Sequence, residues 1–429
     1  GLVFFLFLLQ GGNAYFPESI PAIPLAWDLQ RCFTQEPLCY LPSWIYANQI
    51  YFMFVAIAFF IPSRMAFSVW FITLAYGIYV VVGKAYLPPF HFETISDHRS
   101  GAMLVLTAVI LWLGRSRWAQ VARAVFRRAD TEAAGRDRKA GLVFLGGITG
   151  MLAWFMWTGV EPGWALVFVA IGFMVCLLIT RLVAETGIPF MRIYDCNAHT
   201  IMGMLPVSWV GPASVFMTGV LSLFFQYGSR VNAMTLATHA LALDEKVTPA
   251  RQPRRAMSLL AVLLAGFVIC GAAHLFYSYH HSVSLDGLKG PIGAVGFWNN
   301  TQKLMLSWQR GHLPQPAYSR PGHIAFGAGL TGALSWACMT MPKWPLHPIG
   351  LLLAGTAYGC WIWASIFVGW LAKVLLVRYG GSRLYRNAKP FFLGLILGEV
   401  TAAVFWCVVA AALAFAGQPY VHVIVQRAY

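Results

Sequence analysis

Charge is what this sequence has least of, and acidic charge above all. Only 10% of its 429 residues are charged, with 15 Asp and Glu against 30 Lys and Arg. Soluble domains carry about a quarter charged residues, so this chain could not cover a water-facing surface. Catalytic signatures are missing as well: there is no G-x-S-x-G nucleophile turn and no P-loop. HxxxH and HExxH spacings are also absent, so no metal-binding helix is expected. The expectation is a non-enzyme with no cofactor and no metal. Cysteine is sparse, at eight residues, and shows no metal-ligand spacing. Cys32 and Cys39 fall in one loop, where a disulfide and two free thiols are both open readings; the other six read as small hydrophobes.

What the chain does have is apolar length. Hydrophobic residues make up 59% of it, and 17 Trp and 17 Tyr suit the headgroup level of a bilayer. Its mean hydropathy is +0.65. The net charge of +15 could suggest nucleic acid, but the basic residues cluster between apolar runs. They gather at Arg115–Lys139, Arg251–Arg255 and Arg378–Lys389, the pattern of cytoplasmic loops. No nucleic-acid partner is expected. The bilayer itself is the expected partner.

Apolar runs fall at about 45–62, 66–82, 101–114, 141–158, 163–184, 205–227, 257–277, 323–341, 348–377 and 390–416. The fold class expected is all-α, a polytopic transmembrane helix bundle of about 10 membrane segments, as one membrane domain over 1–429. Residues 1–9 read as the tail of a helix that starts upstream, so an N-terminally truncated chain is expected. Segment 11–44 reads as an external loop and 278–321 as a second long loop folded over the membrane mouth. The three basic clusters cannot all be cytoplasmic if every run crosses once. At least one broken or re-entrant helix is therefore expected, with Gly187–Pro206 the favoured place.

Two places carry candidate chemistry. Arg181 and Glu185 stand four apart at the end of an apolar helix, so they share a face and can pair. Gly187 and Pro189 then break that helix. An ionisable pair beside a helix break suits a substrate or ion-coupling site; a structural ion pair closing the helix is the equal alternative. Glu399 follows Gly394 and Gly398 and falls near mid-membrane. It reads as a proton-coupling or substrate-binding carboxylate, against the plainer reading of a hydrogen bond to a neighbouring helix. His91, Glu93, Asp97 and His98 could hold a cation, but a solvated external loop accounts for them more simply. Lys373 and Arg378 read as side chains snorkelling to the interface.

Several segments in order resemble a known family: Ala14-Tyr-Phe-Pro, Phe67-Ser-Val-Trp-Phe71, Thr180-Arg-Leu-Val-Ala-Glu185 and Trp344-Pro-Leu-His-Pro-Ile-Gly350. Arg378-Tyr-Gly-Gly-Ser-Arg-Leu-Tyr-Arg386 and Pro390-Phe-Phe-Leu-Gly-Leu-Ile-Leu-Gly-Glu399 follow. Together they are similar to an uncharacterised family of large bacterial polytopic membrane proteins, with 342–429 the most family-like part. The resemblance implies a bacterial inner (cytoplasmic) membrane and a build like that of oligopeptide-transporter-type carriers. The function expected is secondary transport of a small solute, peptide-like ones included. The alternative is a non-catalytic membrane subunit of a larger electron-transfer or photosynthetic complex, with other membrane subunits as partners.

Overall fold

The structure is a computed structural model. It describes residues 1–21, 23–87, 90–91, 94–126, 131–188, 193, 201–202, 204–226, 228, 232–247, 252–280, 294–313, 319–421 and 423. In chain order the described helices begin with α1 (Leu2–Tyr15), α2 (Ser43–Tyr46), α3 (Phe52–Phe60), α4 (Ser63–Tyr86), α5 (Thr94–Leu113) and α6 (Arg115–Phe126). Then come α7 (Glu132–Trp157), α8 (Pro162–Thr186), α9 (Pro212–Gln226), α10 (Ala233–Val247) and α11 (Gln252–His280). The last four are α12 (Ala294–Gln309), α13 (Arg320–Thr340), α14 (Ile349–Leu353) and α15 (Ala357–Phe415). Among the described residues one small antiparallel ribbon interrupts the helices: β1 (Ala26–Asp28) pairs with β2 (Ala47–Gln49), Trp27 opposite Asn48.

The expected ten membrane segments are not supported. Among the described residues four helices are long and apolar enough to cross a bilayer, α4, α7, α8 and α15, or five if α5 and α6 form one bent span. The physical reasons differ from run to run. Run 45–62 holds the end of the short α2 and the strand β2 before α3, whose nine residues reach only about 14 Å. Run 205–227 yields the 15-residue α9, and 323–341 becomes α13, with four Gly among its 21 residues. One break among the described residues lies where α5 and α6 meet at Gly114, with a 65° bend. The Arg115 guanidinium caps that corner, 4.4 Å above the Trp112 ring. Most of Gly187–Pro206 lies outside the described residues.

The chain divides into two compact units. One comprises Gly1–Phe92, Thr186–Ile188 and Trp336–Tyr429; the other comprises Glu93–Glu185 and Pro189–Ser335. The first unit is organised by α15, which is a hairpin and not a rod. Gly381, at φ 62° and ψ −165°, takes a conformation closed to side-chain-bearing residues, and the helix reverses there. The reversal is visible in side chains: Lys373 Nζ lies 5.6 Å from the Tyr385 ring. Twelve residues of straight helix would separate them by about 18 Å. The expected Arg378–Lys389 loop is therefore a single glycine turn, with both arms helical up to it.

Helix α3 lies against both arms, parallel to one and antiparallel to the other. Along the first arm, Tyr51 N–H donates to Ser365 Oγ (2.9 Å), Gly369 abuts the Val55 backbone, and Lys373 Nζ donates to the Ile61 carbonyl (2.7 Å). Along the second, the Phe59 ring stacks on Tyr385 (4.8 Å) and on Phe392 (3.8 Å). Helix α1 runs parallel to the second arm. Val3 meets Gly398, Phe7 packs on Ala402, and Gly11 meets the Trp406 indole, a matched i, i+4, i+8 ridge on both helices. Small residues permit that approach, which is how apolar helices associate without a hydrophobic drive.

In the second unit, α8 starts with Pro162 in its first turn, where the missing N–H does no harm. Trp164 Nε1 donates to the Trp209 carbonyl (2.8 Å), and Thr180 bonds Thr235 on α10 (3.0 Å). The threonine pair is buried, where water does not compete for the bond.

Candidate functional site

Helix α5 opens with Thr94 and then buries four consecutive polar side chains: Asp97, His98, Arg99 and Ser100 are each no more than 4% exposed. The expected solvated loop is thus corrected at Asp97 and His98, while Glu93 lies outside the described residues. From Thr94 onward these residues form the first turns of a helix, because nothing between Asp97 and the apolar run from Gly101 breaks helical structure. Asp97 sits in the first turn, where the exposed N–H ends favour a carboxylate.

The opposing surface is the start of α13. Gly101 and Gly327 bring the two helices together backbone to backbone. A methyl on Gly327 would meet the His98 backbone, and one on Gly101 would meet the Ile324 carbonyl oxygen and the Ala328 nitrogen. This crossing fixes what lies one turn earlier on each helix. His98 Nε2 and His323 Nδ1 are 3.0 Å apart, with the His98 ring also 5.0 Å from that of Phe326. Asp97 lies 3.9 Å from Arg320 Nε. Two imidazoles, the Arg320 guanidinium and the Asp97 carboxylate therefore gather where α5 and α13 cross. The His98–His323 bond needs one ring to donate and the other to accept, so it holds a proton between them and fails when both rings are protonated. Among the described residues no group of three or more His, Cys, Asp and Glu is placed to hold a metal ion.

Two signals in the sequence point to this site. Asp97–Ser100 runs straight into an apolar helix, and His323 precedes Gly327 by one turn just as His98 nearly does Gly101. Neither identifies the partner across 225 positions.

The other candidate residues are placed as follows. Arg181 and Glu185 do pair on α8, with their side chains 53% and 22% exposed. Gly187, at φ 69°, stops the helix after Thr186, whose Oγ1 accepts from Ile188 N–H (3.2 Å). Pro189 lies outside the described residues. Glu399 belongs to the first unit, is 1% exposed, and accepts a hydrogen bond from Met53 N–H (2.6 Å). It caps the N-terminus of α3, a position that favours negative charge. Of the two helix-packing glycines before it, Gly398 meets Val3 and Gly394 meets nothing within 4 Å. Cys32 and Cys39 are free, exposed thiols, each in its own one-turn 3-10 helix.

Long apolar helices, small-residue crossings and ionisable groups buried between them define an integral membrane protein of the α-helical class. More particularly, the chain belongs to a family of unknown function (DUF6785), whose family model matches residues 1–422. No curated protein matches it.

Proposed function

We propose that this chain is a secondary transporter carrying a small solute across a bacterial inner membrane, with the α5–α13 crossing as its coupling element. The supporting observation is the burial of Asp97, His98 and Arg99 in consecutive positions, with Asp97 facing Arg320 and His98 bonded to His323. Ionisable side chains inside a membrane are costly and usually serve ion or substrate pathways. Apolar packing would stabilise such a crossing at least as well, so stability alone does not call for them. A second proton on the histidine pair breaks its hydrogen bond and sets two cations side by side. Proton gain there is thereby coupled to how closely α5 and α13 approach. On this reading Arg181 and Glu185 contact substrate or coupling ion at the end of α8. Glu399 exchanges a proton, taken by the carboxyl oxygen other than the one that accepts from the Met53 N–H.

The test uses proteoliposomes holding a pH-sensitive dye and a panel of solutes, short peptides first. His98→Gln and His323→Gln are each expected to abolish solute-driven proton movement while the helical signal and expression stay unchanged. Proton movement undiminished in both variants would refute the coupling role. A second reading follows from the pairing of Arg181 with Glu185 and of Glu399 with Met53 within the chain. These are satisfied structural contacts, as in a non-catalytic subunit of a larger membrane complex. Copurification at fixed stoichiometry with such a complex distinguishes it.

A further inference from the structure

The α15 hairpin ends in a strongly basic tip. Arg378, Arg383, Arg386 and Lys389 flank the Gly381 turn and are all exposed, and none has a carboxylate partner among the described residues. No Asp or Glu occurs anywhere between Asp286 and Glu399. Tyr379 is 79% exposed beside them, and Tyr385 lies between Lys373 and Lys389, whose Nζ is 5.3 Å from its ring. The two arms meeting at this tip, 357–380 and 382–415, are about 36 Å and 51 Å long at 1.5 Å per residue. Each exceeds a hydrocarbon core of about 30 Å. A turn joining two such arms lies at headgroup depth, where phosphates are the available anions and tyrosine rings settle.

We propose that the Arg378–Lys389 tip is a binding site for the phosphates of anionic phospholipid headgroups, which ties this end of the hairpin to the anionic leaflet. Four cations within twelve positions, without a carboxylate partner among the described residues, complement a cluster of phosphodiesters. A zwitterionic headgroup offers no net charge to match. Soluble phosphate carries the same chemistry but is not held at this depth.

The experiment reconstitutes the full chain in phosphatidylcholine vesicles and measures the association of spin-labelled phosphatidylglycerol relative to spin-labelled phosphatidylcholine. Wild type is expected to prefer phosphatidylglycerol. The R378Q/R383Q/R386Q/K389Q variant is expected to lose about fivefold of that preference for each side chain that engages a headgroup. A loss below about twofold overturns the proposal. R378K/R383K/R386K keeps the charge and should keep the preference, and it guards against misfolding of the glutamine variant. Loss of the preference in this lysine variant overturns the charge-based reading. Sodium phosphate should weaken the preference no more than sodium chloride of equal ionic strength. Displacement specific to phosphate would overturn the lipid assignment in favour of a soluble anion.

Discussion

Replacing Gly327 by alanine tests whether the two glycines build the buried cluster. The added Cβ would lie 2.5 Å from His98 Cα and 2.6 Å from its carbonyl carbon, whereas ordinary contact begins at 3.4 Å. Backbone cannot rotate aside as a side chain can, so α13 must retreat by roughly the missing 1 Å. The same retreat stretches the 3.0 Å His98–His323 bond to about 4 Å, beyond hydrogen-bonding range. Overpacking of this kind costs about 1–3 kcal/mol, and the lost bond adds about 1 kcal/mol. Gly332, on the same helix, has nothing within 4 Å of the corresponding position. Gly332→Ala should be neutral or stabilising by about 0.5–1 kcal/mol, since alanine favours helix over glycine. The assay is thermal unfolding of both variants in one detergent, read by intrinsic fluorescence. A drop of several degrees is expected for Gly327→Ala, at about 2–4 °C per kcal/mol for a domain of 150–250 residues. Equal melting of the two variants would refute the crossing geometry.

Glu399→Ala leaves the buried Met53 N–H without its acceptor and should destabilise by about 1–3 kcal/mol, with Glu399→Gln costing less because an amide oxygen still accepts; the order of their melting temperatures checks this. Arg181→Ala and Glu185→Ala remove a half-exposed pair, so each should shift stability by about 0.5 kcal/mol or less. A change in solute uptake without a change in melting would then mark the pair as functional. Tyr40 donates its hydroxyl proton to the Glu36 carboxylate (2.8 Å), and that bond, with the adjacent negative charge, raises its pKa above the usual value of about 10. A raised pKa means the folded state holds the proton more tightly. The contact is intact below pH 10 and is lost as pH rises past the folded-state value. Ultraviolet difference titration of Glu36→Gln against the wild type should show one phenolate ionising earlier in the variant.

Local features of this protein were legible in its sequence, and long-range ones were not. Arg181 and Glu185 pair because helical periodicity alone puts them on one face, and Gly187 takes the positive φ that its lack of a side chain allows. Gly398 packs a neighbouring helix as small-residue spacing suggests. Hydropathy found the two arms of α15, but the tight Gly381 reversal replaced the loop expected from the charges between them. Run 45–62 is apolar enough to span yet folds as a nine-residue helix, since Tyr51 and Met53 spend their N–H groups on Ser365 and Glu399. Those partners lie more than 300 positions away and leave no local trace. For the same reason His98 looked solvated: burial of Asp97–Ser100 depends on α13, and composition alone cannot announce that.

The placement of α3 bears on how the chain is built in the cell. Its nine residues are too few to anchor in a bilayer alone. The groups that hold it, at Ser365, Lys373, Phe392 and Glu399, leave the ribosome more than 300 positions after it. At 5–20 residues per second, roughly 15 to 70 seconds of synthesis separate α3 from Glu399. During that interval α3 needs a surrogate host, either the insertion machinery or the bilayer surface. A stalled or truncated product lacking α15 would expose an apolar, unanchored segment to membrane quality control.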